Sequence, residues 1–147
     1  MQSLPCAGEG RVFNNNGFWM VQITILYYKN GDTIGVFRDY WKLLQISETF
    51  TKIYAKRKEF IEEPRSDGAG PHISLITNDY CISKEGAYVS FEIDNTKLSE
   101  YEDGCGGGYI TLKVKKQFPF TNDDSGLQAN DPGFQPHITI GRIYPRI

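Results

Sequence analysis

The sequence predicts an α+β domain in which strand pairing is predominantly antiparallel. Three observations carry this. Runs of β-branched, aliphatic and aromatic residues stand at 18–28, 87–94 and 109–115, the composition of half-buried strands. Between residues 37 and 58 the apolar period changes to three and four, the spacing of an amphipathic helix. No second stretch of comparable length shows that helical period, so strands outnumber helices. A chain of 147 residues, 39% hydrophobic and 14% aromatic, is long enough to bury a core and forms one domain, 1–147.

Taken in order, residues 1–17 are rich in Gly, Asn and small residues and read as an irregular lead-in. Residues 18–28 form a strand with partial alternation, ended by the turn signal Asn30-Gly31. Phe37, Tyr40, Trp41, Leu44, Phe50, Ile53 and Tyr54 mark the apolar stripe of the helix. Lys56-Arg57-Lys58 sit at its negative end and Pro64 lies beyond, which makes the basic cluster a helix terminus rather than a nucleic-acid contact. A strand follows at Pro71-His72, then one at 87–94, a turn near 98–101, a strand at 109–115 and a last strand at Pro136-His137. The glycine-rich residues 103–108 lack the Lys-Ser/Thr ending of a phosphate-binding loop and read as a flexible hairpin connection. Residues 120–135 are long and polar enough to serve as a lid, and Phe134 is the residue placed to stack on a base.

The two histidines of the chain stand in near-identical settings, Pro71-His72-Ile73-Ser74-Leu75-Ile76 and Pro136-His137-Ile138-Thr139-Ile140-Gly141. With seven prolines in the chain, composition alone puts one before both histidines with a probability of roughly 1 in 400. A proline suits the first position of a strand, and in a strand residues two apart share a face, about 7 Å from each other. His72 and Ser74 therefore point the same way, as do His137 and Thr139. Two such strands side by side would line one polar cleft. Arg142 lies an odd number of residues from His137 and is expected on the opposite face.

These motifs resemble those of the two-histidine (2H) phosphoesterases, whose signature is a pair of His-Φ-Ser/Thr-Φ strands. Residues 134–142 look like the second motif of the 2′-5′ RNA ligase-like members, and Ser74 stands where Thr is commoner. The resemblance implies a bilobal fold, two mainly antiparallel sheets around a central cleft with an outer helix. It implies His72 and His137 as catalytic and Ser74 and Thr139 as phosphate-binding residues. The compact members of that family are viral 2′,5′-phosphodiesterase domains and phage anti-CBASS phosphodiesterases, which degrade immune messengers in the host cytosol.

The four residues suit the chemistry that the resemblance implies. Cleaving a phosphodiester takes one group that removes a proton from the nucleophile and one that protonates the leaving oxygen, and imidazoles, with an ordinary pKa of about 6.5, do both near neutrality. The hydroxyls would donate to the non-bridging oxygens. Either histidine could be the base. Water as nucleophile gives hydrolysis, whereas a ribose 2′-hydroxyl gives a 2′,3′-cyclic phosphate.

No carboxylate pair and no His-rich cluster suggests a metal site, so neither metal nor cofactor is expected. A net charge of −2 and a pI of about 5.7 argue against long duplex nucleic acid and suit a small nucleotide or oligonucleotide. Cys6, Cys81 and Cys105 are far apart and odd in number, which favours a reduced, cytoplasmic location. No apolar run reaches the length of a membrane helix, and a membrane partner is not expected. The expected function is a metal-independent phosphodiesterase acting on 2′- or 3′-linked small oligonucleotides, such as 2′,5′-oligoadenylate or cyclic oligonucleotide messengers. A 2′,3′-cyclic phosphodiesterase of RNA ends and a non-catalytic nucleotide-binding module are the alternatives. Oligomeric state is open.

Overall fold

Asn16 and Gly17 both hold positive φ, 53° and 91°, as a two-residue hairpin turn of the I′ kind requires. In the computed structural model they join β1 (Ala7–Asn15) to β2 (Phe18–Tyr27), the innermost pair being Asn15 with Phe18. The Asn14 side chain secures the turn by accepting from the Gly17 amide at 2.9 Å. The irregular lead-in expected over 1–17 is thus corrected, since residues 7–15 are a strand. Its glycines serve close packing: a Cβ on Gly10 would lie 2.5 Å from the Gln22 carbonyl oxygen, a distance only glycine permits.

The structure describes residues 4–35, 60–64, 71–94, 99–102, 108–120, 126–127 and 135–145. The predicted helix at 37–58, its basic end, and Phe134 lie outside them. After β2, Gly31 at φ 92° turns the chain into β3 (Thr33–Gly35), as Asn30-Gly31 predicts. The remaining elements are β4 (Phe60–Pro64), β5 (His72–Ser74), α1 (Asp79–Ser83), β6 (Tyr88–Glu92), β7 (Ser99–Glu102), β8 (Gly108–Lys113) and β9 (His137–Pro145).

Among the described residues nine strands join one curled sheet in the order β6-β1-β2-β5-β9-β8-β7, with β3 added beside β2 and β4 beside β9. Every pairing between them is antiparallel. The strand-rich, antiparallel character expected from sequence is present. Among the described residues the strands form one sheet rather than two, its halves continuous through the β5–β9 pairing, whose single matched pair is Ile73 with Ile138. One further expectation is corrected: of the turn near 98–101, residues 99–101 lie in strand β7. Two elements come in addition to those expected, a strand at 60–64 beside β9 and a helix between the histidine motifs. That helix, α1, is short and begins at Asn78, whose Oδ1 accepts from the Cys81 amide at 2.7 Å.

One transverse row shows how the core is built. Val12 pairs with Val21, Val21 with Ile73, Ile73 with Ile138 and Ile138 with Leu112. All five are at most 1% exposed. Residues directly opposite share a face, so the row is a continuous apolar stripe on the inner side of the sheet. Phe91 and Phe120 close over this core edge to face, with ring centroids 6.3 Å apart, and Cys81 and Leu127 complete it. Two register shifts interrupt the alternation. Gly10 pairs with Ile23 but Glu9 with Ile25, which leaves Thr24 as an extra residue whose hydroxyl donates to the Glu9 carbonyl at 3.1 Å. The buried residues on β2 accordingly change phase, Val21 and Ile23 before the bulge and Leu26 after it.

Candidate functional site

Each histidine motif alternates as its sequence requires. Ile73, Ile138 and Ile140 are buried, while His72, His137 and Thr139 are half-buried and Ser74 is exposed. The histidines and hydroxyls therefore occupy the face opposite the core. Pairing of Ile73 with Ile138 sets their mutual placement. Continuing that antiparallel register by one residue each way puts His72 across from Thr139 and Ser74 across from His137. Directly opposite side chains have Cβ atoms about 5 Å apart, and the diagonal pair formed by the two histidines is separated by about 7 Å. A phosphate group fits between imidazoles so spaced.

His137 is held in one orientation. Its Nδ1 lies 2.9 Å from the Gln135 carbonyl oxygen. A carbonyl only accepts, so Nδ1 carries the proton and Nε2 is the nitrogen that takes or gives one. The Gln135 amide in turn donates to the Val114 carbonyl at 2.9 Å and the Pro136 carbonyl at 3.1 Å, which ties the segment before His137 to strand β8. Gln22, His72, Ser74 and His137 all make further interactions.

The neighbouring strands extend this face. Gln22 pairs with His72 and Met20 with Ser74. On the other side Lys113 pairs with His137 and Thr111 with Thr139. Lys113 is half-buried, and Thr111 is 1% exposed with a hydroxyl that finds no hydrogen-bond partner among the described residues. A cation and a third hydroxyl thus adjoin the His-Thr strand. The sequence reading placed residues 109–115 in a strand but not beside β9, because alternation along a strand carries no information about its partner. The ground for excluding Arg142 also falls away. A register shift occurs where Thr111 pairs with Thr139 but Ile110 with Gly141, so counting alternate positions from His137 no longer reaches Arg142, which pairs with Tyr109.

Aromatic residues elsewhere in the chain differ in environment. Phe120 is core, whereas Phe118 is exposed and meets Tyr80 edge to face at 5.8 Å; Tyr27 and Tyr28 are half-buried. Of the stretch 120–135, Leu127 is fully buried and Asn78 donates to the Gly126 and Leu127 carbonyls at 3.2 and 3.3 Å, which anchors its middle. Residues 103–107 lie outside the described set; the strands on either side pair antiparallel, Glu102 with Gly108.

A cleft of about 390 Å³ is lined by Glu9, Tyr27, Glu92, Lys115 and Phe118, among others, and contains none of the four motif residues. Lys115 is paired with Glu92 at 3.2 Å, leaving Glu9 to make the cleft unfavourable for a phosphate. The histidine face is the better candidate. Among the described residues no three His, Cys, Asp or Glu side chains form a group that could hold a metal ion, and no helix is long and apolar enough to cross a membrane. Comparison with protein-family models, curated proteins and solved structures finds no match.

Proposed function

We propose that this protein is a metal-independent phosphodiesterase acting on 2′- or 3′-linked diesters of small oligonucleotides, with 2′,5′-oligoadenylate and cyclic oligonucleotide messengers as the first substrates to test. The observation that carries this reading is the Ile73–Ile138 register, from which the reciprocal pairs His72 with Thr139 and His137 with Ser74 follow on a single face of the sheet. One neutral imidazole takes the proton of the attacking hydroxyl as its oxygen bonds to phosphorus. The other, protonated, gives its proton to the leaving oxygen as that P–O bond breaks. His137 acts through Nε2. Ser74 and Thr139 donate to the non-bridging oxygens, and Lys113 offsets the charge that develops there. Compactness and the viral and phage members of the resembling family make immune evasion in a host cytosol the setting to examine.

The test is an assay in EDTA offering 2′,5′-oligoadenylate, cyclic di- and trinucleotides and an RNA with a 2′,3′-cyclic end, with products resolved by mass spectrometry. Cleavage that is lost in both His72→Ala and His137→Ala supports the reading and names the substrate. Cleavage confined to the cyclic-ended RNA selects RNA-end processing instead. Tight nucleotide binding with no cleavage selects a binding module.

A further inference from the structure

The row that contains His72 does not end at β5. His72 pairs with Gln22, Gln22 with Arg11 and Arg11 with Tyr88. Opposed residues share a face, so Arg11 and Tyr88 lie on the same side of the sheet as the histidines. Strands are about 4.8 Å apart, which puts Arg11 roughly 10 Å from His72 along the row. The Arg11 guanidinium carbon stands 4.7 Å from the centre of the Tyr88 ring, and its Nη2 donates to the Tyr88 hydroxyl. Tyr88 is 63% exposed. An exposed cation–π pair of this kind stabilises a fold only slightly.

Its chemistry matches a nucleotide better than it does a structural tie. A guanidinium has five N–H donors in a planar fork suited to phosphate, and its hydrogen bond to Tyr88 uses one of its nitrogens. A tyrosine ring with solvent on it is a stacking platform for any base. Phe13, 38% exposed, pairs with Met20, which pairs with Ser74, so it adds a second exposed ring on the same flank. Arg11 on β1 and Lys113 on β8 place positive charge on either side of the paired histidine motifs, whereas the nearby cleft offers Glu9 and Glu92.

We infer that Arg11 and Tyr88 form a second-nucleotide subsite in which the guanidinium takes a phosphate and the phenol ring a base of the nucleotide adjoining the scissile diester. The substrate is then an oligonucleotide rather than a mononucleoside cyclic phosphate. This rests on the histidine face being the reaction centre, and the experiment separates the two.

The measurement is binding, by calorimetry, of a hydrolysis-resistant phosphorothioate 2′,5′-triadenylate and of adenosine 2′,3′-cyclic monophosphate. The proteins compared are the full chain and its Arg11→Ala, Arg11→Lys, Tyr88→Ala and Tyr88→Phe variants, each checked for unchanged thermal stability. The triadenylate is expected to bind the wild type about tenfold or more tightly than the mononucleotide. Arg11→Ala and Tyr88→Ala remove most of that advantage and leave mononucleotide binding unchanged, while Tyr88→Phe keeps it. Losing one phosphate contact lowers the slope of log K against log salt concentration by about 0.7. An advantage that persists in both alanine variants, or that is absent from the wild type, overturns the subsite. Arg11-dependent binding without any cleavage leaves the subsite standing and removes the phosphodiesterase reading. Cleavage that needs both histidines but is indifferent to Arg11 and Tyr88 does the reverse.

Discussion

Ile73 is paired with Ile138 across the β5–β9 seam, and that antiparallel register, continued by one residue each way, sets His72 across from Thr139 and His137 across from Ser74. In the proposed mechanism each hydroxyl thus serves the histidine of the other strand as closely as its own. Removing a general acid or base costs about 10²–10⁴-fold in rate, and removing a hydroxyl that stabilises charge at phosphorus costs on the order of 10². Because the register sets the members of each pair side by side, their effects should not multiply. His72→Ala with Thr139→Val should be slower than either single variant, yet faster than the product of the two losses. Thr139→Ser, which keeps the hydroxyl, should retain most of the rate. Single-turnover rates of the four proteins close the cycle, and simple multiplication would show that the pair does not act together.

The same pairing predicts how stability and function are linked. Ile73 and Ile138 are both 0% exposed. Truncating either to Ala should cost about 2–5 kcal/mol, and Ile→Val about 0.5–1.5 kcal/mol. The informative variant is Ile138→Val, which should fold and still slow cleavage, since the hydroxyl and imidazole positions hang on that contact. Denaturant midpoints and kcat measured on one preparation test this. An unchanged kcat would place the seam outside the reaction geometry.

How much of this was legible in the sequence depended on whether the signal was local. The strands at 18–28 and 109–115, the Asn30-Gly31 turn and the facing of His72 with Ser74 all follow from period and turn chemistry within a few residues. Strand β1 was missed although Asn16-Gly17 is the same kind of turn signal, because Gly8 and Gly10 imitate loop composition while answering a packing demand set by Phe91 and Gln22. The places of Lys113, Thr111, Arg11 and Tyr88 beside the motifs depend on which strands neighbour which, and no single-strand pattern encodes that. Bulges at Thr24 and next to Thr139 defeat counting by twos.

In the proposed mechanism Gln135 is a positioning residue that acts through His137. Its side-chain amide ties the segment carrying the His137-binding carbonyl to Val114 and Pro136. A net hydrogen bond contributes about 0.5–1.5 kcal/mol, so Gln135→Ala should lower kcat by up to about tenfold with little change in KM, and Gln135→Glu should not restore it because a carboxylate cannot donate to carbonyls. Equal losses in kcat and in thermal stability with no change in the His137 Nδ1–H NMR signal would assign Gln135 a purely structural part.

Cys81 gives a prediction about pH. Burial pushes its thiol from 9.0 up to about 11, opposed by its hydrogen bond with Asn78. The folded state therefore favours the neutral thiol, and this preference costs nothing while the unfolded thiol is also neutral, below about pH 9. Above that pH the unfolded chain ionises first, so stability should fall as pH rises from about 9 toward 11. Urea midpoints should show that decline in the wild type and a shallower one in Cys81→Ala. At pH 8, iodoacetamide should reach the half-buried Cys6 before Cys81. Equal decline in both proteins would assign the alkaline loss to other groups.

Two glycine substitutions should separate a backbone requirement from a packing one. Gly17 holds φ 91° with nothing within 4 Å of where a Cβ would stand. Gly17→Ala should lower stability by about 1 kcal/mol through its backbone alone and leave the site untouched. Gly10→Ala meets the Gln22 carbonyl at 2.5 Å and a Val21 methyl at 2.6 Å, and the carbonyl cannot yield without moving β2, so a loss of about 1–3 kcal/mol is expected. The displaced residue, Gln22, pairs with both Arg11 and His72. Gly10→Ala should therefore impair cleavage beyond what its stability explains, and Gly17→Ala should not. Activity measured well below each variant's melting temperature makes the comparison, and equal activity in the two would mean that the β1–β2 register does not govern the histidine face.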